Sequence, residues 1–275
     1  MAGLEWCLTG IGGGALGLLL GSFCTVLCWR LPRDESVVFP ASHCAACGTP
    51  IRWSDNFPLI SYLRLRGRCR SCGVGISARY PLIELACGLW CAGMAWQAWT
   101  PDGWCWARFL VWGVLGGGLS AVTVIDLEHR IIPDQLSLFL ATLGLAGAVS
   151  HGAGGTLMNP SGGIGCWAAA PWRAILLSVT GGLAGAGTLA AIGWIGEKTF
   201  RQEAMGGGDV KLAGALGTFT GPVGILIVVF LASLLGGLFA LGLLATGRIR
   251  RREYLAFGPY LCVAGAGMAV WGDRV

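Results

Sequence analysis

Charged residues are scarce in this chain: they make up only 12% of its 275 residues, whereas hydrophobic residues make up 55%. The mean hydropathy is +0.68. A soluble domain of this length could not bury so much apolar surface, so the scarcity of charge excludes that class and predicts an integral membrane protein. Basic residues are absent from Met1–Glu5. We therefore expect the first apolar run to be a membrane helix and not a cleaved secretory signal.

Long apolar runs recur along the chain, and a membrane-spanning helix needs about 20 such residues. The sequence predicts an all-α polytopic membrane protein with about eight transmembrane helices, surrounded by membrane lipid. A short run at 210–220 provides the eighth if it crosses or nearly crosses the bilayer. The other predicted spans are 6–29, 81–100, 106–125, 135–151, 172–195, 222–246 and 255–271.

The lysines and arginines are distributed unevenly among the connecting segments. With the N-terminus outside, all but three of the 19 lie in predicted cytoplasmic segments, and the exceptions are Arg108, Arg173 and Arg274. The positive-inside rule favours this orientation. The net charge of +5 therefore reflects topology and requires no nucleic-acid partner. The chain divides into a first helix (1–30), a cytoplasmic insert (31–80) and a transmembrane bundle (81–275).

The insert carries two C-x-x-C-G motifs, which supply Cys44 and Cys47, then Cys69 and Cys72. Two such motifs can close a tetrahedral shell of four thiolates around a structural zinc ion. Disulfide bonds are the alternative, but thiols stay reduced on the predicted cytoplasmic side. A shell of four cysteines leaves no open coordination position. We therefore expect the zinc to organise the insert and not to catalyse.

Two aspartates lie at the ends of apolar runs, on the same predicted side of the membrane. Asp126 ends one run in "AVTVIDLEHRIIPD", and Asp209 begins another after three glycines in "GGGDVKL". Two carboxylates close together share a proton and provide both an acid and a base for hydrolysis. Alternatively, each aspartate caps or flanks a helix end. Glu128 and Asp134, in the following polar turn, are interpreted as solvated or capping groups.

The chain resembles the bacterial type IV prepilin peptidases, which are leader peptidase/N-methyltransferases. The resemblance runs nearly from end to end. The matching stretches are "GSFCTVLCWRLP" (21–32), the cysteine insert (42–85), "IDLEHRIIPD" (125–134), "GGGDVKL" (206–212) and "FGPYL" (257–261).

This resemblance implies a G-x-G-D membrane aspartic peptidase of the bacterial inner membrane, with Asp126 and Asp209 as its catalytic pair. Its expected substrates are type IV prepilins or pseudopilins, cleaved on the cytoplasmic side. The cysteine insert further implies N-methylation of the new N-terminus by S-adenosylmethionine. The sequence lacks a Rossmann-type glycine signature, so the methyl-donor site cannot be located from it. Glu84, which matches a family glutamate, is a candidate for binding the methyl donor or the substrate amine.

One stretch departs from the family pattern. Residues 151–172 lengthen the Asp126–Asp209 separation, and we expect them to lie outside, opposite the chemistry. Two other functional classes stay open at this point. An ion-coupled transporter could use the two carboxylates, although the sequence contains no inverted repeat. A membrane scaffold could dock a partner through the zinc insert, but it leaves both aspartates unexplained. The sequence is silent on oligomeric state and on pilus versus secretion substrates.

Overall fold

The computed structural model describes residues 2–100, 103–151, 171–201, 205–247 and 255–271. The described chain is mostly helical, with turns and irregular structure over much of the insert and a hairpin of two-residue strands, β1 (Trp99–Thr100) and β2 (Gly103–Trp104). Two 3₁₀ turns, Leu31–Arg33 and Trp53–Asp55, lie in the insert. The helices are α1 (Ala2–Arg30), α2 (Ile60–Arg64), α3 (Arg79–Gln97), α4 (Trp106–His129), α5 (Asp134–His151), α6 (Pro171–Phe200), α7 (Gly207–Ala245) and α8 (Gly258–Trp271).

Among the described residues, four helices are long and apolar enough to cross a bilayer: Glu5–Arg33, Trp106–His129, Trp172–Thr199 and Gly207–Ala245. The apolar helices α5 and α8 are shorter. The predicted all-helical architecture is confirmed, whereas the number of crossings stays a prediction. Most of the predicted external stretch 151–172 lies outside the described residues, as do the four arginines of 248–252.

The longest helix, α7, is broken at Gly221, whose φ of 70° and ψ of 178° are not helical. A methyl group on Gly185 of α6 would collide with both the Ala213 carbonyl and the Ile225 side chain. Twelve residues of continuous helix rise about 18 Å. Both contacts can therefore form only because the chain reverses direction at Gly221, and Pro222 then begins the returning helix.

The reversal divides α7 into a first arm (207–220) and a second arm (222–245). These arms coincide with the two separate apolar runs that the sequence predicts. The first arm packs so closely on α6 that the backbones of Gly217 and Gly181 are in contact. Such small-residue contacts are typical of helix packing in membranes. Counting both arms of α7, the described residues contain eight long helical segments.

The chain folds into two compact units, Met1–Ala121 and Val122–Val275. In the first unit, α1 and α3 pack together through glycines spaced four residues apart on α1. A methyl group at Gly17 would overlap Cys87 of α3, and one at Gly21 would lie 2.6 Å from the Glu84 Cα. This close packing places Glu84 at the seam between α1 and α3.

Candidate active site and metal centre

Asp126 lies one turn before the end of α4 and is only 5% exposed. Its Oδ2 accepts a 2.9 Å hydrogen bond from the backbone N–H of Gly258, the first residue of α8. The N-terminus of a helix has unpaired N–H groups and favours negative charge. Asp126 therefore caps a helix other than its own. A methyl group on Gly258 would lie 2.6 Å from the same oxygen, so the contact requires glycine.

Asp209 lies in the first turn of α7, and its backbone N–H donates to the Gly206 carbonyl at 3.1 Å. Gly206 is the extended N-cap residue of this helix. The next glycine but one, Gly208, lies against Ile132: a methyl group there would sit 2.9 Å from the Ile132 Cβ. Within the described part of the chain, Asp209 Oδ1 is buried and has no hydrogen-bond partner.

The segment after α4 brings the two aspartates into one neighbourhood. Ile132 lies against both Gly208 and Gly258, and Gly258 in turn contacts Asp126. The Asp126 carboxylate is close enough to act electrostatically on Asp209. All these residues belong to the second unit. Two carboxylates so placed can share one proton and act together as acid and base. The capping interpretation also applies to Asp126, because the same carboxylate caps α8 and lies beside Asp209.

A salt bridge lies beside this pair. Lys211 Nζ contacts both oxygens of Asp134 at 2.7 Å, which joins the start of α5 to the first turn of α7. Asp134 is the first residue of α5 and its side chain is 69% exposed, as expected of a solvated helix-start group. Glu128 is exposed and lies 4.0 Å from the neighbouring His129 ring. Neither carboxylate is buried as Asp126 is.

The two C-x-x-C-G motifs of the insert fold into equivalent knuckles. In the first, Cys44 N–H donates to Thr49 and Gly48 N–H donates back to Cys44; in the second, Cys69 makes the same pair of bonds with Val74 and Gly73. The glycine after each motif has positive φ, 69° for Gly48 and 72° for Gly73. Each glycine allows the tight turn that points two thiols to one side.

The knuckles bring Cys44, Cys47, Cys69 and Cys72 together, with their sulfur atoms within 4.8 Å of one another. The Cys44 and Cys72 sulfurs are 3.9 Å apart. A tetrahedral zinc site with Zn–S bonds of about 2.3 Å has sulfurs about 3.8 Å apart. The Thr49 hydroxyl and backbone lower the pKa of the Cys47 thiol to about 6, which favours the thiolate that a metal requires. The donor set therefore fits zinc, and the described cysteines form no disulfide.

A charged triad fastens the second knuckle to the middle of the insert. Asp55 accepts two hydrogen bonds from Arg70, at 2.7 and 2.6 Å, and one of 2.6 Å from Arg64 of α2. The Asp55 side chain is only 6% exposed. The Arg70 guanidinium, with help from Arg64, lowers the pKa of Asp55 to about 2. Because Arg70 lies between Cys69 and Cys72, this triad positions the knuckle directly.

Glu84, the weakest of the sequence candidates, lies in a defined cavity of the first unit. It is 9% exposed, and its Oε2 accepts a 2.8 Å hydrogen bond from the backbone N–H of Leu59. The Ser22 hydroxyl is a second partner. The cavity has a volume of about 1160 Å³, and its lining includes Arg30 and Tyr62. This exceeds the usual 300–1,000 Å³ of a small-molecule site.

Leu59, whose backbone N–H binds Glu84, has a strained backbone conformation with φ 57° and ψ −48°. Such conformations cost about 1–3 kcal/mol in a non-glycine residue and cluster at functional sites. Sequence reasoning missed Leu59, and it assigned no role to Gly258. Both act through backbone N–H groups, which side-chain motifs do not reveal. The "FGP" in "FGPYL" was the available signal for Gly258, since glycine followed by proline commonly begins a helix.

Comparison with known proteins now places the chain. A model of the bacterial peptidase A24 N-terminal domain matches residues 15–98, and a model of the type IV leader peptidase family matches residues 113–241. A prepilin leader peptidase/N-methyltransferase of Stutzerimonas stutzeri is 34% identical over 94% of this chain and 90% of its own length. The chain belongs to the type IV leader peptidase family.

Other relatives of this chain have names that describe the same processing of prepilin leaders. A type 4 prepilin-like proteins leader peptide-processing enzyme of Escherichia coli is 34% identical over 90% of the chain and 89% of its own length. A prepilin leader peptidase/N-methyltransferase of Pseudomonas aeruginosa is 32% identical over 94% and 89%. No solved structure matches the chain significantly. The resemblance inferred from the motifs is confirmed, and nothing in these relatives supports the transporter or the scaffold.

Proposed function

We propose that this protein is a membrane aspartic endopeptidase that removes the leader of type IV prepilins or pseudopilins and then N-methylates the new N-terminal residue. Family membership supports the peptidase class, and the names of the relatives support both activities. The observation that carries the proposal is the burial of Asp126 beside Asp209, through Gly208, Ile132 and Gly258.

Peptide hydrolysis at this pair needs one carboxylate ionised and the other protonated. The ionised carboxylate removes a proton from water, which attacks the scissile carbonyl, and the protonated carboxylic acid donates to the carbonyl oxygen. When the tetrahedral intermediate collapses, the leaving amine takes up a proton from the pair. Asp126 Oδ2 accepts the Gly258 N–H, so the shared proton lies on one of the other three oxygens.

We place the pair at the cytoplasmic surface of the bacterial inner membrane. The end of α4, the start of α5 and the starts of α7 and α8 all meet around Ile132, so one end of the second unit carries the site. The positive-inside rule assigns that end to the cytoplasm. The eight long helical segments then provide about eight crossings, of which the first arm of α7 and α8 are the shortest.

In the insert, the four cysteines would hold zinc as a closed structural shell. Zinc there would supply folding free energy and no open position for water. Its effect on chemistry is therefore indirect. The zinc ion would fix the second knuckle. Through the Arg70–Asp55 salt bridge it would also fix the segment from Asp55 to Leu59, whose N–H binds Glu84.

We assign the methylation step to the cavity that contains Glu84. S-adenosylmethionine would supply the methyl group there. An α-amine attacks a methyl group only in its unprotonated form, so the substrate ammonium ion must first lose one proton. The S–CH3 bond would break as the N–CH3 bond forms, and S-adenosylhomocysteine would leave. Glu84 is placed to bind the substrate ammonium ion and to accept that proton, and the Leu59 N–H keeps its carboxylate in position.

Reconstituted protein tests the function directly. The enzyme is reconstituted in lipid vesicles and incubated with two substrates: a prepilin that still carries its leader, and S-adenosylmethionine with a labelled methyl group. We expect a shortened pilin that carries label at its new N-terminus. A full-length, unlabelled prepilin after incubation with folded, zinc-loaded enzyme would refute the proposal. Carboxylate-dependent ion uptake in its place would favour the transporter.

A further inference from the structure

The insert exposes four large apolar side chains that lie close together in the sequence, between residues 53 and 63. Trp53 is 81% exposed, Phe57 48%, Ile60 64% and Leu63 74%. The Trp53 and Phe57 rings contact each other edge to face at 6.0 Å, and Ile60 and Leu63 share one side of α2 at i, i+3 spacing. We call these four side chains the apolar face of the insert. A hydrophilic domain surrounded by water does not usually group its aromatic and aliphatic residues in this way.

The hydrogen bond between Leu59 and Glu84 fixes the depth of this face. Glu84 lies five residues beyond Arg79, the first residue of α3, which corresponds to about 7.5 Å along the helix. Leu59 directly precedes α2, so α2 lies level with the second turn of α3. Around that level α3 also exposes Leu82 (63%) and Leu85 (42%). At Glu84 it packs on Gly21 of α1, a helix long and apolar enough to cross a bilayer. The apolar face is therefore at the membrane surface and not out in the cytoplasm.

Exposed arginines flank the same face in the sequence: Arg52 directly precedes Trp53, and Arg66 follows α2. In contrast, Arg64 and Arg70 are paired with Asp55. Arginine beside interfacial aromatic residues is suited to lipid phosphates, and basic residues near an anionic leaflet are attracted to its surface.

We propose that the apolar face is a lipid-docking surface that rests in the cytoplasmic leaflet, with Arg52 and Arg66 on anionic phospholipid head groups. The short α2 then lies in the interface as an amphipathic anchor. The insert is tethered at one end by α1, which is long and apolar enough to cross a bilayer, and at the other by α3, which packs along α1. Docking therefore needs little further loss of freedom. The anchor holds the Glu84 cavity at the membrane surface, where an N-terminus still attached to a membrane segment can reach it.

A photo-crosslinking amino acid at single positions tests this surface in the full-length protein. The residue replaces Ile60 or Leu63, or Val74 as control. Val74 is also exposed, at 43%, but lies on the second knuckle. The protein is reconstituted in nanodiscs of phosphatidylglycerol and phosphatidylcholine, and adducts are identified by mass spectrometry. We expect phospholipid adducts at positions 60 and 63 at least fivefold above position 74, and fewer when phosphatidylglycerol is omitted.

Equal lipid adducts at position 74 would overturn the proposal, as would adducts to a second copy of the chain in place of lipid. A second measurement does not depend on the crosslinker. Leu63→Asp should speed hydrogen exchange of the 57–64 amides in the same nanodiscs by about tenfold, whereas Val74→Asp should not. Unchanged exchange in Leu63→Asp would equally overturn the docking. Neither readout requires peptidase or methyltransferase activity, so failure here leaves the proposed function standing.

Discussion

At the scale of single residues, the arrangement around Asp126 combines two roles that the sequence left as alternatives. The carboxylate caps α8 through the Gly258 N–H and also lies beside Asp209. A cap that tolerates only glycine at its partner position fixes the orientation of an oxygen in the proposed catalytic pair. Such positioning is worth much in catalysis, because a displacement of about 1 Å can cost about a hundredfold in rate.

The first prediction concerns the aspartates themselves. Asp126→Asn and Asp209→Asn keep the size of each side chain but remove proton exchange, so each should lower leader cleavage by at least about a hundredfold. The double variant should be no worse than the worse single variant, because the pair acts as a unit. Cleavage rates in vesicles with matched expression measure this. Glu128→Gln, two residues from Asp126 and exposed, is the control and should stay near wild type.

The second prediction concerns Gly258. A methyl group there would lie 2.6 Å from Asp126 Oδ2, so Gly258→Ala should displace the carboxylate and slow cleavage by about a hundredfold. Gly237→Ala is the matched control, since a methyl group at that position meets no atom within 4 Å. Equal cleavage rates for the two alanine variants would remove Gly258 from the site.

The sequence predicted Asp126 and Asp209, because a carboxylate at the end of an apolar run is unusual in itself. It could not predict Gly258 as the partner of Asp126. The two are 132 residues apart, and the interaction uses only the backbone of the glycine. Likewise, "LISYLR" contains no sign that Leu59 adopts positive φ and holds Glu84. The candidate side chains could be identified from the sequence. The backbone N–H groups that orient them could be identified only from the fold.

At the scale of elements, two local devices shape the protein: the reversal at Gly221 and the paired knuckles of the insert. The sequence indicated both, through the two separate apolar runs 210–220 and 222–246 and through the repeated C-x-x-C-G. It did not indicate which arginines of the insert are bound. Arg64 and Arg70 share Asp55, whereas the exposed Arg52 and Arg66 flank the apolar face.

The third prediction concerns the metal. Purified protein should contain about one zinc ion per chain, because one four-thiolate shell is complete. Serine at Cys44, Cys47, Cys69 and Cys72 should abolish it and should impair methylation more than cleavage. Elemental analysis with both activity assays measures this. Intact disulfides in zinc-free, active protein would contradict it, and Cys7→Ser is the control outside the cluster.

The fourth prediction concerns Asp55. Its pKa of about 2 lies below the ordinary value of about 3.9, so its ionised form is stabilised by folding. That contribution is complete above about pH 4 and is lost as pH falls towards 2. Asp55→Asn should release zinc to a chelator several-fold faster than wild type, by a ratio that is constant from pH 7 to pH 5. Asp34→Asn, at an exposed position, should match wild type.

At the scale of the whole molecule, the sites proposed for the two activities fall in different compact units. The Glu84 cavity and the cysteines belong to residues 1–121, and the aspartate pair belongs to residues 122–275. Their chemistry also differs, since hydrolysis needs two carboxylates and water, whereas methylation needs a bound amine. Separate units allow each site to be disabled alone.

The fifth prediction follows from this separation. Glu84→Gln should leave cleavage near wild type and lower methylation of a pre-cleaved pilin by about tenfold or more, with the greater loss at lower pH, where more amine is protonated. Asp209→Asn should do the opposite, methylating pre-cleaved pilin normally while failing to cleave. A Glu84→Gln enzyme with normal methylation and impaired cleavage would reverse the assignment.

The reversal of α7 at Gly221 also determines where water can go. Residues 207–220 rise about 21 Å, and α8 is equally short at 14 residues, whereas the hydrocarbon core of a bilayer is about 30 Å thick. Helices this short are accommodated by local thinning of the bilayer around them. Both begin beside Asp126 and Asp209. If both helices cross the bilayer as proposed, it would be thinnest at the point where hydrolysis of a lipid-embedded chain requires a water molecule.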